Sequence, residues 1–148
     1  MNRTVLRRRL TAVGSAVAAL LLLCATAPSA SADTTRTLRL ALSCQTGLPY
    51  GLSANVGSGW FYPVGSSYAS GGTKYFTVAI PASATQLAID TTYCDGEPSQ
   101  YWNASWTGGS VSLVPGTSTV NAYGYCSFYD YYYGYHYRSC TASGVTYS

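Results

Sequence analysis

Apolar and polar side chains alternate with a period of two along most of the chain after residue 37. Leu38, Leu40 and Leu42 are separated by Arg39 and Ala41, and the same spacing recurs in several later segments. Those segments are residues 52–56, 76–80, 87–89, 111–113 and 120–128. Because successive side chains of a strand point to opposite faces, this period predicts strands with one buried face.

Short segments rich in glycine, proline and serine separate the predicted strands, as at Gly57-Ser58-Gly59 and Pro115-Gly116. Short β-rich runs that are interrupted by turns every 8–12 residues or so are typical of a sandwich or a small barrel. We therefore predict an all-β fold, a small antiparallel β-sandwich of about seven to nine strands. No helix is expected outside the first 32 residues.

The first 32 residues have a different pattern. Arg3 and Arg7–Arg9 precede an uncharged apolar run over residues 10–24, and Ala30-Ser31-Ala32 follows it. A basic start, an apolar middle and small residues before a cleavage point form a secretory signal peptide. A membrane anchor would need about 20 apolar residues, which is longer than this run. We predict a cleaved signal over residues 1–32, followed by a single domain over residues 33–148 that is secreted to the extracellular medium.

Removal of that segment changes the charge of the protein. The whole chain carries 8 Lys+Arg and 5 Asp+Glu, a formal net charge of +3. Four of the basic residues lie in the predicted signal, so four basic and five acidic residues remain, for a net charge of −1. Without a positive surplus, neither nucleic acid nor an anionic membrane surface is an expected partner of the mature domain.

Four of the five cysteines lie after residue 32, namely Cys44, Cys94, Cys126 and Cys140. An even number of cysteines in a small exported domain indicates two disulfides. Three pairings are possible, and we favour Cys44–Cys94 with Cys126–Cys140 because sequential pairing closes each loop locally. No C-x-x-C pair is present and His136 is the only histidine, so we expect no metal site and no cofactor.

Catalytic motifs are missing from the sequence. His136 is the only histidine and so the only imidazole that could act as a general base. No G-x-S-x-G, H-E-x-x-H or phosphate-binding loop occurs. A glycosidase would need two carboxylates beside the substrate. The candidate carboxylates are few, and they are Asp90, Asp95, Glu97 and Asp130. We therefore predict that the protein is not an enzyme and has no catalytic residues.

Aromatic residues are the most distinctive feature of the mature chain. Seven of the ten residues from Phe128 to Tyr137 are aromatic. Adjacent tyrosines in a strand cannot all be buried, and Gly134 is suited to turn a hairpin between Cys126 and Cys140. Tyrosine offers a large rigid contact area and a hydroxyl, so this hairpin is our main candidate binding surface. Its candidate residues are Tyr129, Tyr131, Tyr132, Tyr133, Tyr135 and Tyr137, together with Trp60, Trp102 and Trp106 elsewhere.

Three functions fit these residues. The first is a secreted protein-binding module, an adaptor or structural subunit, in which residues 33–37 form a flexible arm or add a strand to a partner's sheet. The second is a carbohydrate-binding module, with the three tryptophans stacked on sugar rings. The third is an inhibitor of a secreted hydrolase. Bacterial amylase inhibitors use an exposed Trp-Arg-Tyr triplet, and the nearest triplet here, Trp60-Phe61-Tyr62, lacks the arginine.

The layout of the whole chain resembles a known group of proteins. An Arg-rich, Ala/Leu-rich leader that ends in Ala30-Ser31-Ala32, joined to a Gly/Ser/Thr/Tyr-rich domain with four cysteines, is similar to small exported proteins of Streptomyces-type actinobacteria. Within that group the chain resembles the small adaptor subunit of the secreted umbrella toxin particles. The resemblance implies lectin-like and toxin-bearing subunits as partners and an antibacterial assembly as the setting. It carries no residue-level motif.

Overall fold

The computed structural model of the chain describes residues 34–97, 109–131 and 135–148, all within one compact unit. These residues form eleven strands and no helix, which confirms the prediction of an all-β fold for the described part of the chain. The strands are β1 (Thr35–Cys44), β2 (Pro49–Tyr50), β3 (Ser53–Asn55), β4 (Trp60–Phe61), β5 (Gly65–Ser70), β6 (Thr73–Pro81), β7 (Gln86–Asp90), β8 (Tyr93–Cys94), β9 (Val111–Ser112), β10 (Val120–Tyr131) and β11 (Tyr135–Tyr147).

The larger sheet has five strands in the order β11-β10-β1-β6-β5, with β1 in the centre. Leu38, Leu40 and Leu42 of β1 are almost fully buried, while Arg39 between them is exposed. This alternation is the one the sequence predicts. Each fully buried leucine contributes about 1.5–3 kcal/mol to folding, so β1 alone is strongly anchored.

A second sheet has four strands in the order β4-β3-β7-β9, and β2 pairs with β8 in a separate short ribbon. The buried residues of both larger sheets belong to one hydrophobic cluster, which joins Leu38 and Phe76 of the five-stranded sheet to Ala54, Leu87 and Ile89 of the four-stranded sheet. The core therefore lies between the two sheets.

The sheets are not purely antiparallel, contrary to our expectation. β1 runs parallel to β10, with Leu38 opposite Val120 and Cys44 opposite Cys126. Parallel neighbours need a long crossover, and here residues 45–119, which contain the whole second sheet, form that connection. Period-two alternation contains no information on strand direction, so the sequence pattern did not show this pairing. The described residues also contain more strands than expected, because several pairings are only two residues long.

The flexible-arm alternative for residues 33–37 is wrong over the residues that are described. Thr35, Arg36 and Thr37 belong to the central strand β1, where they pair with Pro81, Ile80 and Ala79 of β6. These three residues are therefore an ordered part of β1. Addition of a strand to a partner's sheet stays a prediction. The predicted signal peptide, residues 1–32, lies outside the described residues. Within the described part, no helix is long and apolar enough to span a membrane.

Gly124 provides a test of how tightly the core is filled. A Cβ at this inward-facing position of β10 would lie 2.4 Å from Cδ1 of Ile89 and 2.6 Å from Cδ1 of Leu42. Both atoms belong to packed core side chains, so Gly124→Ala should lower the free energy of unfolding by about 1–3 kcal/mol. Gly109→Ala is the control, because a Cβ there meets nothing within 4 Å. Urea denaturation of both variants measures the effect, and equal stability of the two would contradict this description of the core.

Candidate functional site

The outer face of the five-stranded sheet carries a row of tyrosines. On β10, Ala122, Gly124 and Cys126 are buried, so Tyr123 and Tyr125 between them point away from the core. The strand register places further tyrosines of β5, β6 and β11 on the same side. We call these residues the tyrosine face: Tyr68, Tyr75, Tyr123, Tyr125, Tyr129 and Tyr137. The first five are 36–66% exposed, and Tyr137 is half-buried.

Neighbouring strands pair tyrosines ring to ring on this face. Tyr68 of β5 lies opposite Tyr75 of β6, with ring centroids 5.0 Å apart and planes inclined by 13°. Tyr129 and Tyr137 form a similar cross-strand stack at 5.4 Å and 25°. Cross-strand aromatic pairs stabilise a sheet and fix the ring orientation. The four rings of these two pairs are therefore held by their neighbours rather than rotating freely.

The tyrosine face has little charge. Arg39 is exposed among its outward-pointing neighbours, opposite Asn121 of β10 and Thr77 of β6. No described outward position of the five strands carries an aspartate or a glutamate. Contacts with this surface must therefore come mainly from aromatic area, hydroxyl groups and Arg39.

The structure places the predicted binding residues in three groups. Tyr129 and Tyr137 lie on the tyrosine face, and the backbones of Tyr131 and Tyr135 pair at the end of the β10–β11 hairpin. Tyr132, Tyr133, Trp102 and Trp106 lie outside the described residues. Trp60 is 41% exposed but belongs to β4, at the edge of the other sheet. Of the predicted residues that are described, Trp60 is thus on a different sheet from Tyr129 and Tyr137.

Four members of the tyrosine face were not among the predicted site residues. They are Tyr68, Tyr75, Tyr123 and Tyr125. A signal for two of them was present, since Tyr123 and Tyr125 alternate with the small or apolar Ala122, Gly124 and Cys126. Tyr68 and Tyr75 become neighbours through the pairing of β5 with β6. The sequence pattern does not show which strands pair, so it gave no signal for these two residues.

The triplet Trp60-Phe61-Tyr62 does not form a continuous exposed site. Trp60 and Tyr62 are exposed, but Phe61 between them is partly buried and packs against the hydrophobic core. An inhibitor triplet has to present its middle residue, so this observation weighs against the inhibitor hypothesis.

Strand β5 lies at the edge of the sheet beside Tyr68. Among the residues that the structure describes it pairs with β6 alone, and all six of its residues are exposed. The N–H of Ala79 donates to the carbonyl of Val64, and the hydrogen bonds of an antiparallel pair alternate along the strand. The peptide groups of Gly65, Ser67 and Ala69 therefore point away from β6. β5 contains no charge, proline or bulge, the features that normally protect an edge from pairing.

Arg138 engages two of the candidate catalytic carboxylates. Arg138 is 3% exposed, and its Nε lies 3.1 Å from Oδ1 of Asp90. One terminal nitrogen donates to Oε1 of Glu97 and the other to the backbone carbonyl of Thr91. Both carboxylates are thus bound to a buried cation that joins β11 to the end of β7. This arrangement is typical of a structural ion-pair network.

Both disulfides have the predicted pairing. Cys44 is bonded to Cys94, and Cys126 is bonded to Cys140 within the β10–β11 hairpin. Two disulfides are consistent with an oxidising extracellular environment. The sulfurs of Cys44, Cys94 and Cys126 lie within 4.8 Å of one another. Because all three are bonded in disulfides, they have no thiolate with which to bind a metal.

A second aromatic cluster surrounds the β2–β8 ribbon. Tyr50 and Tyr93 stack with centroids 4.4 Å apart, and Nζ of Lys74 lies 5.2 Å above the Tyr50 ring. The Tyr50 hydroxyl donates to Oδ2 of Asp95 at 3.3 Å. The negative charge of Asp95 disfavours the phenolate, so the pKa of Tyr50 is raised above its usual value of 10.0.

Comparison of the chain with protein families, with characterised proteins and with solved structures finds no match to any of them. Its candidate site therefore rests on geometry and chemistry alone.

Substitution of Arg138 tests the buried network. Arg138→Met removes the cation and leaves Asp90 and Glu97 without their shared partner, so it should cost about 3–5 kcal/mol of stability. Arg39→Met is the matched control at an exposed site and should change stability by less than about 0.5 kcal/mol. Chemical denaturation measures both. A loss at Arg138 no larger than that at Arg39 would show that the network is not structural.

Titration of Tyr50 tests the second cluster. With Asp95 present, the phenol of Tyr50 should lose its proton at a higher pH than an ordinary tyrosine. Asp95→Asn removes the negative charge and should bring the pKa back towards 10.0. Nuclear magnetic resonance of ring-labelled tyrosine follows the titration, and Tyr50→Phe assigns the signal. Identical titration curves with and without Asp95 would contradict the contact.

Proposed function

We propose that the protein is a secreted, non-catalytic protein-binding module, an adaptor or structural subunit of an extracellular assembly. The observation that carries this proposal is the tyrosine face, a nearly uncharged aromatic surface on the outside of the five-stranded sheet. Protein interfaces are enriched in tyrosine and depleted of charge at their centres. The two sheets around one core are in keeping with the β-sandwich that the sequence predicts.

The ring orientation favours a protein partner over a sugar. Two cross-strand pairs, Tyr68–Tyr75 and Tyr129–Tyr137, already use ring faces against each other. A stacked pair exposes mainly its ring edges and hydroxyl groups to a partner. Hydroxyls and edges suit the backbone and side-chain contacts of a protein interface, whereas stacking on a sugar needs an open ring face.

The edge strand β5 supports the same proposal. An extended segment of a partner that pairs with Gly65, Ser67 and Ala69 would continue the sheet beside Tyr68 and enlarge the tyrosine face. Strand addition of this kind combines main-chain hydrogen bonds with side-chain specificity. A sugar gains little from a row of outward peptide groups at this spacing.

Secretion and the setting of the assembly are part of the proposal. The signal-like residues 1–32 and the two disulfides both suit an exported protein. The resemblance to the umbrella particle adaptor suggests lectin-like and toxin-bearing subunits as the partners, which would give the protein a role in an antibacterial particle. The toxic activity would then belong to another chain.

Two exposed tyrosines provide the test. The protein, captured by a tag from culture medium, should bring large secreted partners with it, and these are identified by mass spectrometry. Tyr68→Ser combined with Tyr125→Ser should weaken that binding by at least about tenfold, because interface tyrosines are frequent hot spots. Both side chains are well exposed, so the fold should be preserved.

Tyr62→Ser is the matched control, since Tyr62 is 78% exposed but lies outside the tyrosine face. It should leave binding unchanged. Recovery of the protein without any partner would count against an adaptor. Retention of the protein on an insoluble polysaccharide, lost in the double variant, would replace the proposal with carbohydrate binding.

A further inference from the structure

The four cysteines lie together where β1 of the five-stranded sheet ends. In the strand register Cys44 of β1 is opposite Cys126 of β10, and Cys126 is opposite Cys140 of β11. Three neighbouring strands therefore carry cysteines side by side. Cys94 joins them through its bond to Cys44, which ties the β2–β8 ribbon to the sheet.

The two disulfides are close enough to exchange partners. The sulfurs of Cys44, Cys94 and Cys126 all lie within 4.8 Å of one another. Adjacent strands are about 4.8 Å apart, which falls within the Cα separation that a disulfide can bridge. Cys126 can thus reach the Cys44–Cys94 bond from its own strand, and a Cys44–Cys126 bond fits the existing sheet.

We propose that the cluster is a redox-responsive disulfide switch, in which opening of the Cys126–Cys140 bond lets the Cys126 sulfur exchange into the Cys44–Cys94 bond. A dithiol reductant opens Cys126–Cys140, is oxidised to its cyclic disulfide and leaves two thiols. The Cys126 thiolate then attacks the Cys44 sulfur. The Cys44–Cys126 bond forms, the Cys44–Cys94 bond breaks, and its electron pair leaves on Cys94, which takes up a proton.

The exchange changes which strands are joined covalently. A Cys44–Cys126 bond joins two strands that already pair, so it adds little constraint to the sheet. Release of Cys94 removes the covalent link between β1 and β8. The stacked Tyr50 and Tyr93 then depend only on non-covalent contacts, so the surface around the β2–β8 ribbon loosens while the core of both sheets is kept.

Distance gives the exchange a direction. Sγ of Cys140 lies 3.4 Å from Oδ1 of Asp90, which also binds Nε of Arg138. The sulfur of Cys126, in contrast, lies within 4.8 Å of both sulfurs of the Cys44–Cys94 bond. Of the two thiols released by reduction, Cys126 is therefore the attacking group.

Single serine substitutions test the switch without any added reductant. Cys140→Ser leaves Cys126 as the free thiol, and after incubation at pH 8 and quenching with acid, peptide mapping should find Cys44–Cys126 in at least about a tenth of the molecules. Cys126→Ser is the matched control, because it leaves Cys140 free and should keep only Cys44–Cys94. A Cys140→Ser protein that contains Cys44–Cys94 alone, with Cys126 fully alkylated, would overturn the proposal.

The full wild-type chain provides a second route if Cys140→Ser does not fold. Limiting dithiothreitol, followed by alkylation, should trap a one-disulfide species with the Cys44–Cys126 bond, and near-ultraviolet circular dichroism reports whether the fold is kept. If every disulfide found during the reduction is either Cys44–Cys94 or Cys126–Cys140, the proposal is also overturned. Neither result depends on the identity of a partner, so failure of the switch leaves the proposed binding function untouched.

Discussion

A buried guanidinium needs hydrogen-bond acceptors for its N–H groups, and the acceptors of Arg138 fix the position of the segment that follows β7. Arg138 is 3% exposed on β11 of the five-stranded sheet, yet it binds Asp90 at the end of β7 in the other sheet. It also binds Glu97 and the carbonyl of Thr91. These contacts with Arg138 hold the loop after β7 against the five-stranded sheet. Removal of one member of such a network leaves buried charges without compensation, so its members depend on each other.

The rest of the loop follows from that contact. The hydroxyl of Thr91 donates to the carbonyl of Tyr50, and the N–H of Thr92 donates to the same carbonyl at 2.7 Å. The β2–β8 ribbon is thus held beside the sheet, where Cys94 reaches Cys44. At the other end of β1, buried Arg36 donates to the carbonyls of Ala84 and Val114. Two buried arginines, Arg138 on β11 and Arg36 on β1, thus connect the five-stranded sheet to segments that flank strands of the second sheet.

Much of this architecture is readable in the sequence, because the signals are local. Period-two alternation depends on one strand and one core, and it predicted β1, β6 and β10 correctly. The disulfide pairing also followed from chain distance. The parallel pairing of β1 with β10 was not predictable, since direction in a sheet is decided by how 75 intervening residues are laid out. Nor does sequence alone distinguish a buried arginine, such as Arg138, from the exposed Arg39.

The candidate binding residues stay a prediction, and the sequence did not indicate how far the exposed tyrosines extend over the sheet. A dense run of tyrosines drew attention to the hairpin end, whereas the tyrosine face extends across several strands of the sheet. Tyr68 and Tyr125 are about 60 residues apart and share a face only because β5, β6, β1 and β10 are neighbours. Periodicity can assign a residue to a face of its own strand. It cannot say which other strands complete that face.

The burial of Arg36 and Arg138 also bears on the proposed binding function. They are half of the four basic residues that follow residue 32, so Arg39 and Lys74 are the basic groups left nearer the surface. With so little charge outside, long-range steering is weak, and encounter rates of about 10⁵–10⁶ M⁻¹s⁻¹ are typical of such surfaces. Affinity must then come from slow dissociation. Stacked cross-strand tyrosines suit that requirement, because rings already fixed by their neighbours lose little conformational entropy when a partner covers them.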